Sequence, residues 1–168
     1  MGLFTLSSKT GDASISFPHH EGVPGFMPGT ISEIILHDDE SRIEIKPKFF
    51  KKLESVYLPY SKIVGVLSVT EKEITEQGKS VLGRAMLGGV LLGPLGAVVG
   101  GMSGTTKKTK TSYHPYFIIN YKPDMESDEV RVLTFINNGQ FNVSKFVNLI
   151  KERAGITDQV KSSGPITL

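Results

Sequence analysis

Ala85–Met102, AMLGGVLLGPLGAVVGGM, is a run of 18 residues without a charged or polar side chain, and reading it decides the fold. It falls just short of the roughly 20 apolar residues that cross about 30 Å of hydrocarbon as a helix. Gly89, Gly93, Gly96, Gly100 and Gly104 follow one another at intervals of 4, 3, 4 and 4. On a helix they share one face and strip it of bulk, which lets two backbones approach closely. Glycine inside a water-exposed helix costs about 1 kcal/mol relative to alanine, so five on one stripe call for a packing partner. Pro94 stands mid-run and removes a helical hydrogen bond, leaving two arms of about nine residues, each about 13 Å long. Lys72, Lys79 and Arg84 precede the run and Lys107, Lys108 and Lys110 follow it, so cations suited to anionic headgroups stand at both feet. The segment reads as a helical hairpin turning at Pro94, able to enter one leaflet or to pack on copies of itself. Local packing onto its own domain, or a glycine-rich loop of low order, are the plainer alternatives.

Working outward, both flanks are strand-like. Ile31–Leu36 is the first β-branched run, and the turn HDDES leads into Arg42–Lys46, where Ile43 and Ile45 alternate with polar residues. Ser55–Leu58 and Ile63–Val69 continue the meander, and Tyr116–Tyr121 and Val130–Ile136 resume it beyond the insertion. A segment that crossed a membrane once would leave these strands on opposite sides. One sheet therefore requires both ends of the insertion on the same side. Val143, Phe146, Val147, Ile150 and Ala154 then form one helical stripe, with Asn142 expected as N-cap and Gly155 as the stop. The fold class is mainly β with one C-terminal helix. Pro18–Gly29, PHHEGVPGFMPG, reads as turn-rich chain, with His19 and His20 expected at the surface or in a loop. The expected organisation is an extended arm over 1–29, a domain over 30–155 interrupted by the hairpin at 76–110, and a mobile tail over 156–168.

Composition narrows the function. The chain has 168 residues, which fits one domain with an insertion; 19 Lys+Arg stand against 17 Asp+Glu, too even a balance for bulk attraction to nucleic acid. The lysines of KKTK lack interleaved stacking aromatics, so no nucleic-acid partner is expected. Zero cysteines exclude a disulfide framework, a thiolate metal site and a Cys nucleophile. Eighteen glycines exceed the roughly 12 of average usage. Gly78-Lys79-Ser80 resembles the end of a phosphate-binding loop, but Glu73 stands where its first glycine belongs, and the later glycines do not spell GxGxxG. Asp38, Asp39 and Glu40 read as a solvated corner, and His19, His20, His37 and His114 lack metal-ligand spacing. No catalytic residue, cofactor or metal site is expected. MGLFTLSSKT shows no secretory pattern, and Leu6 stands where myristoylation wants Ser or Thr, so cytoplasmic residence is expected.

YLPYSKIVGVLSV, with Leu58, Pro59, Ser61, Ile63 and Val66, resembles bacterial pleckstrin-homology-like domains of the GRAM type. HEGVPG at His20–Gly25, the insertion, the strand YFIINYK and the final helix together resemble a family of small Gram-positive and prophage-type proteins carrying a glycine zipper in such a domain. The resemblance runs from about His20 to Gly155 and implies a bent antiparallel sandwich or barrel capped by the helix and used for binding and localisation. It supplies no catalytic residues. The insertion departs from ordinary pleckstrin-homology domains, and Arg42, Lys46, Lys48, Lys51 and Lys52 are dispersed rather than paired for phosphate clamping. The expected function is a non-enzymatic module that associates with membrane or self-assembles through the hairpin, peripheral at the inner face of the membrane. The alternative is a soluble phage- or host-interaction protein whose hairpin mediates oligomer formation or partner docking.

Overall fold

The computed structural model describes residues 12–70, 73, 86–87, 90–91 and 115–157. Among the described residues the elements follow in chain order: β1 (Ser14–Glu21), β2 (Ile31–His37), β3 (Arg42–Pro47), β4 (Val56–Pro59), β5 (Ile63–Thr70), β6 (Met86–Leu87), β7 (Val90–Leu91), β8 (Pro115–Tyr121), β9 (Arg131–Ile136) and α1 (Val143–Ala154), with a 3-10 turn at Tyr60–Lys62. Seven strands form one antiparallel sheet in the order β4-β3-β2-β1-β9-β8-β5. β1 belongs to both halves. Ser14–Pro18 pairs with Ile31–Ile35, and after a register shift His19 and Glu21 pair with Phe135 and Thr134 of β9. The two halves bend around a common core as a pleckstrin-homology-like sandwich.

Period-2 alternation builds the first half. In β3, Ile43 and Ile45 are fully buried while Arg42 and Glu44 are only partly buried, as a sheet with one solvated face requires. At the centre Phe17 stacks on Phe117 with ring centroids 5.0 Å apart, and Phe117 meets Phe135 and Phe146, each at 6.1 Å. α1 closes the core with the expected stripe: Val143, Phe146, Val147 and Ile150 are buried. Gly155 ends it in the left-handed region (φ 67°), donating to Glu152 O while Ile156 N–H reaches Lys151 O at 2.8 Å. Asn142 precedes the helix but does not cap it with its side chain. It also adopts the left-handed conformation (φ 72°), which asparagine tolerates, and only its carbonyl engages, accepting from Phe146 N–H.

Two expectations are corrected. The arm expected over residues 1–29 includes β1, the central strand of the sheet, and His19 is a core residue only 2% exposed. Pro18 concealed the strand: it sits at the last β2 pair, where β1 passes from one neighbour to the other and a missing N–H is tolerated. The helical reading of the insertion, expected over 76–110, fails at the described residues, since Met86 pairs with Leu91 and Leu87 with Val90 as antiparallel strands. The intervening sequence is Gly88-Gly89, a pair that weakens a helix and suits chain reversal. The tail beyond residue 157 lies outside the described residues.

Candidate functional site

The insertion leaves and rejoins the body at one place. Thr70, the last residue of β5, is paired with Pro115, the first of β8. Just beyond this root, Thr70 and Glu73 form a reciprocal capping box: the Glu73 carboxylate accepts from Thr70 N–H (2.7 Å) and from its hydroxyl (2.8 Å), and Glu73 N–H donates to Thr70 Oγ1 (3.2 Å). The sequence TEKE carried this signal.

Further up the sheet the β6–β7 pair is seated on the outer face of β5 and β8. Asn120, 2% exposed, binds the main chain of Leu91 with both ends of its amide: Oδ1 accepts from Leu91 N–H at 2.6 Å and Nδ2 donates to Leu91 O at 2.9 Å. A side-chain amide thus takes the place of a neighbouring strand. Opposite it, Gly65 leaves room for Val90, since a Cβ at Gly65 would lie 3.1 Å from Val90 Cγ2 and 3.5 Å from the Asn120 Cβ. Val90 completes a second apolar cluster with Val69, Tyr116 and Ile118, flanked by Leu67, Val132 and Ile136. Both faces of β8 are therefore covered, and Tyr116–Asn120 is buried without a break. An apolar run of that kind, holding one asparagine, was the sequence signal for a covered second face.

The expected zipper face (Gly89, Gly93, Gly96, Gly100, Gly104), the turn at Pro94 and the basic flank (Lys79, Arg84, Lys107, Lys108, Lys110) lie outside the described residues. Among the described residues no helix is long and apolar enough to cross a membrane, and no group of three or more His, Asp or Glu is placed to hold a metal ion.

Asp38, Tyr60, Arg42 and Arg153 are engaged in structural pairs. Asp38 accepts from Arg153 Nη2 at 2.6 Å, from Arg153 Nε, and from the Tyr60 hydroxyl at 3.0 Å, tying the end of α1 to the β2–β3 turn. The guanidinium holds the Asp38 carboxyl below its ordinary range, and burial with the adjacent carboxylate pushes the Tyr60 hydroxyl up. The shallow groove beside them contains no nucleophile aligned with a base. Arg42 pairs with Glu40 and lies 4.1 Å over the Tyr57 ring, so it too is committed within the body.

His19 and His37 carry the pH dependence. His19 Nδ1 donates to Met27 O (3.2 Å) while Nε2 accepts from Val23 N–H (3.1 Å), an arrangement that requires the neutral ring and pins the β1–β2 loop. Burial lowers its pKa from 6.5. The unfolded chain therefore takes up this proton first, and the stabilisation present above pH 6.5 is lost as pH falls from there through the lower folded value. His37, bonded to Glu44 at 2.9 Å and 3.3 Å from Asp12, is raised above 6.5, chiefly by the Glu44 bond. Its contribution is complete below pH 6.5 and is lost as pH rises through the folded value. Urea unfolding across this range is expected to show a flattened acid limb in His19→Gln and a flattened alkaline limb in His37→Gln. Unchanged limbs would contradict these assignments.

No curated protein and no solved structure matches the chain. A family model described as a glycine zipper containing PH domain matches residues 26–137, from the β1–β2 loop through β9. With the strand order, the helix and the insertion rooted between β5 and β8, that match makes this chain a member of the family of glycine zipper-containing pleckstrin-homology domains.

Proposed function

We propose that the protein is a non-enzymatic binding module that attaches to an anionic membrane surface through its glycine-rich insertion, peripheral at the inner face, with the β body as the platform. The observation that carries this reading is the pairing of Thr70 with Pro115, which returns the insertion to the side it left. Length supports it as well. With Val90 and Leu91 seated on the body, Leu92–Met102 leaves 11 uncharged residues, about 16 Å if helical, which suits one leaflet and falls short of the roughly 30 Å core. Three lysines beyond the run and the cations before it match anionic headgroups.

Vesicle flotation tests the reading. The full chain is expected to float with phosphatidylglycerol vesicles, to float less as salt rises, and to remain at the bottom of the gradient when residues 82–106 are removed. Self-assembly through the glycine face predicts instead a detergent-free oligomer that ignores vesicles and is disrupted by leucine at Gly93, Gly96 and Gly100. A wild-type chain that neither floats nor assembles contradicts both uses of the insertion.

A further inference from the structure

Each ring nitrogen of His37 faces a carboxylate from a different segment. Nε2 lies 2.9 Å from Glu44 of β3, and Nδ1 lies 3.3 Å from Asp12, which stands just ahead of β1. An ionised carboxylate only accepts, so the two contacts are both hydrogen bonds only while both ring nitrogens carry a proton. The three side chains are between 14% and 25% exposed, which restricts the water that could replace a lost partner.

The two carboxylates are not held equally. Glu44 also accepts from the Ser55 hydroxyl at 2.6 Å, and its strand is paired on both sides, with β2 and with β4. Asp12 stands at the entry to β1, where the neighbouring Ala13 carbonyl accepts from Leu36 N–H at 2.9 Å and the paired register begins at Ser14 with Ile35. A ring with one proton therefore keeps it on Nε2, toward the closer and better-held Glu44, and turns a bare lone pair of Nδ1 toward Asp12. Two acceptors then face each other. The surrounding charges are accounted for. Arg42, the register partner of His37 on β3, is turned to Glu40 and the Tyr57 ring, and Lys46 acts by charge on Glu44 from farther along the strand. Asp38, next in the chain, is bonded to Arg153 and to Tyr60, on which Asp12 also acts by charge, and Glu33 of β2 accepts from the Ser14 hydroxyl at 3.2 Å.

We infer that His37 is a proton-operated clasp on the start of β1, closed on Asp12 while both ring nitrogens are protonated and open to Asp12 once Nδ1 is bare, with Glu44 held in both states. The clasp sets how firmly the chain is fastened where it enters the sheet, and it does not depend on what the insertion binds. The Glu44 bond raises the ring above 6.5, so opening lies on the alkaline side of that value. In the full-length protein the Leu36 amide, which donates to Ala13 O, is the reporter. Corrected for the intrinsic rate and for any change shared by the β8 amides, its hydrogen exchange is expected to quicken roughly ten-fold from about pH 6 to about pH 9. Ring nitrogen chemical shifts of His37 should show the remaining alkaline proton on Nε2. Asp12→Asn is the discriminating variant, because its amide accepts from the protonated ring and donates to the bare Nδ1. Slow exchange at Leu36 should therefore persist in this variant at both pH values. An alkaline proton on Nδ1, Leu36 exchange that follows β8 throughout, or an Asp12→Asn response equal to that of the wild-type chain would each overturn the clasp.

Discussion

Gly22→Ala is expected to lower the unfolding free energy by about 3–4 kcal/mol, or roughly 6–16 °C in melting temperature for a chain of this size. Two effects combine at this position. Its φ of 96° is a conformation that an L side chain rarely adopts, and a Cβ there would lie 2.0 Å from Val132 O and 3.1 Å from Leu133 Cα. Those are backbone atoms of β9, which a rotamer change cannot relieve. The position follows directly on the Glu21–Thr134 pair that joins the two halves of the sheet, so moving either strand opens the junction. Gly25→Ala is the control. It has φ 78° but open space around the new Cβ, and should cost only about 1 kcal/mol of backbone strain. Equal losses at the two glycines would show that the close approach to β9 contributes nothing.

Asn120→Ala is expected to release the β6–β7 pair while leaving the body folded. The substitution removes both partners of the Leu91 main chain, and the loss of two hydrogen bonds in a partly buried setting costs about 2–3 kcal/mol. The readout is local: amide exchange at Leu91 should accelerate roughly 30- to 160-fold while β8 and β9 keep their protection. Gly65→Leu attacks the same seat from its other wall by filling the space of Val90, and should reproduce the release. If Leu91 exchange is unchanged in both variants, the insertion is not held to the sheet by this seat.

The legible parts of this fold were those whose signal is periodic and local. Alternation in Arg42–Lys46 and the stripe from Val143 to Ile150 each report one buried face, and both elements appear where expected. β1 is hidden in the sequence because its strand character shares a segment with Pro18 and the glycines that follow, whose turn signal is the stronger one. His19 is expected at the surface or in a loop because the His19-His20 pair says nothing of Val23 and Met27, the backbone partners that make the burial of His19 tolerable. The Arg153–Asp38 tie joins residues 115 apart in the chain, and no local pattern announces such a pair. At the insertion, glycine spacing suggested a helix face. Val90 and Leu91 obey a different constraint, set by the Asn120 amide and the space above Gly65, both supplied by strands distant in sequence.

The central claim is that the body folds without the insertion, because β5 and β8 already meet at Thr70 and Pro115, and the covering of the outer face of β8 by Val90 and Leu91 is added to a sheet that is already closed. The most direct test is the amide NMR spectrum and thermal unfolding of a chain lacking residues 82–106. A dispersed spectrum that retains the β5–β8 and β8–β9 cross-strand contacts, with one cooperative transition, is the predicted result. A collapsed spectrum, or a transition without cooperativity, would show instead that the insertion is part of the core and contradict the account.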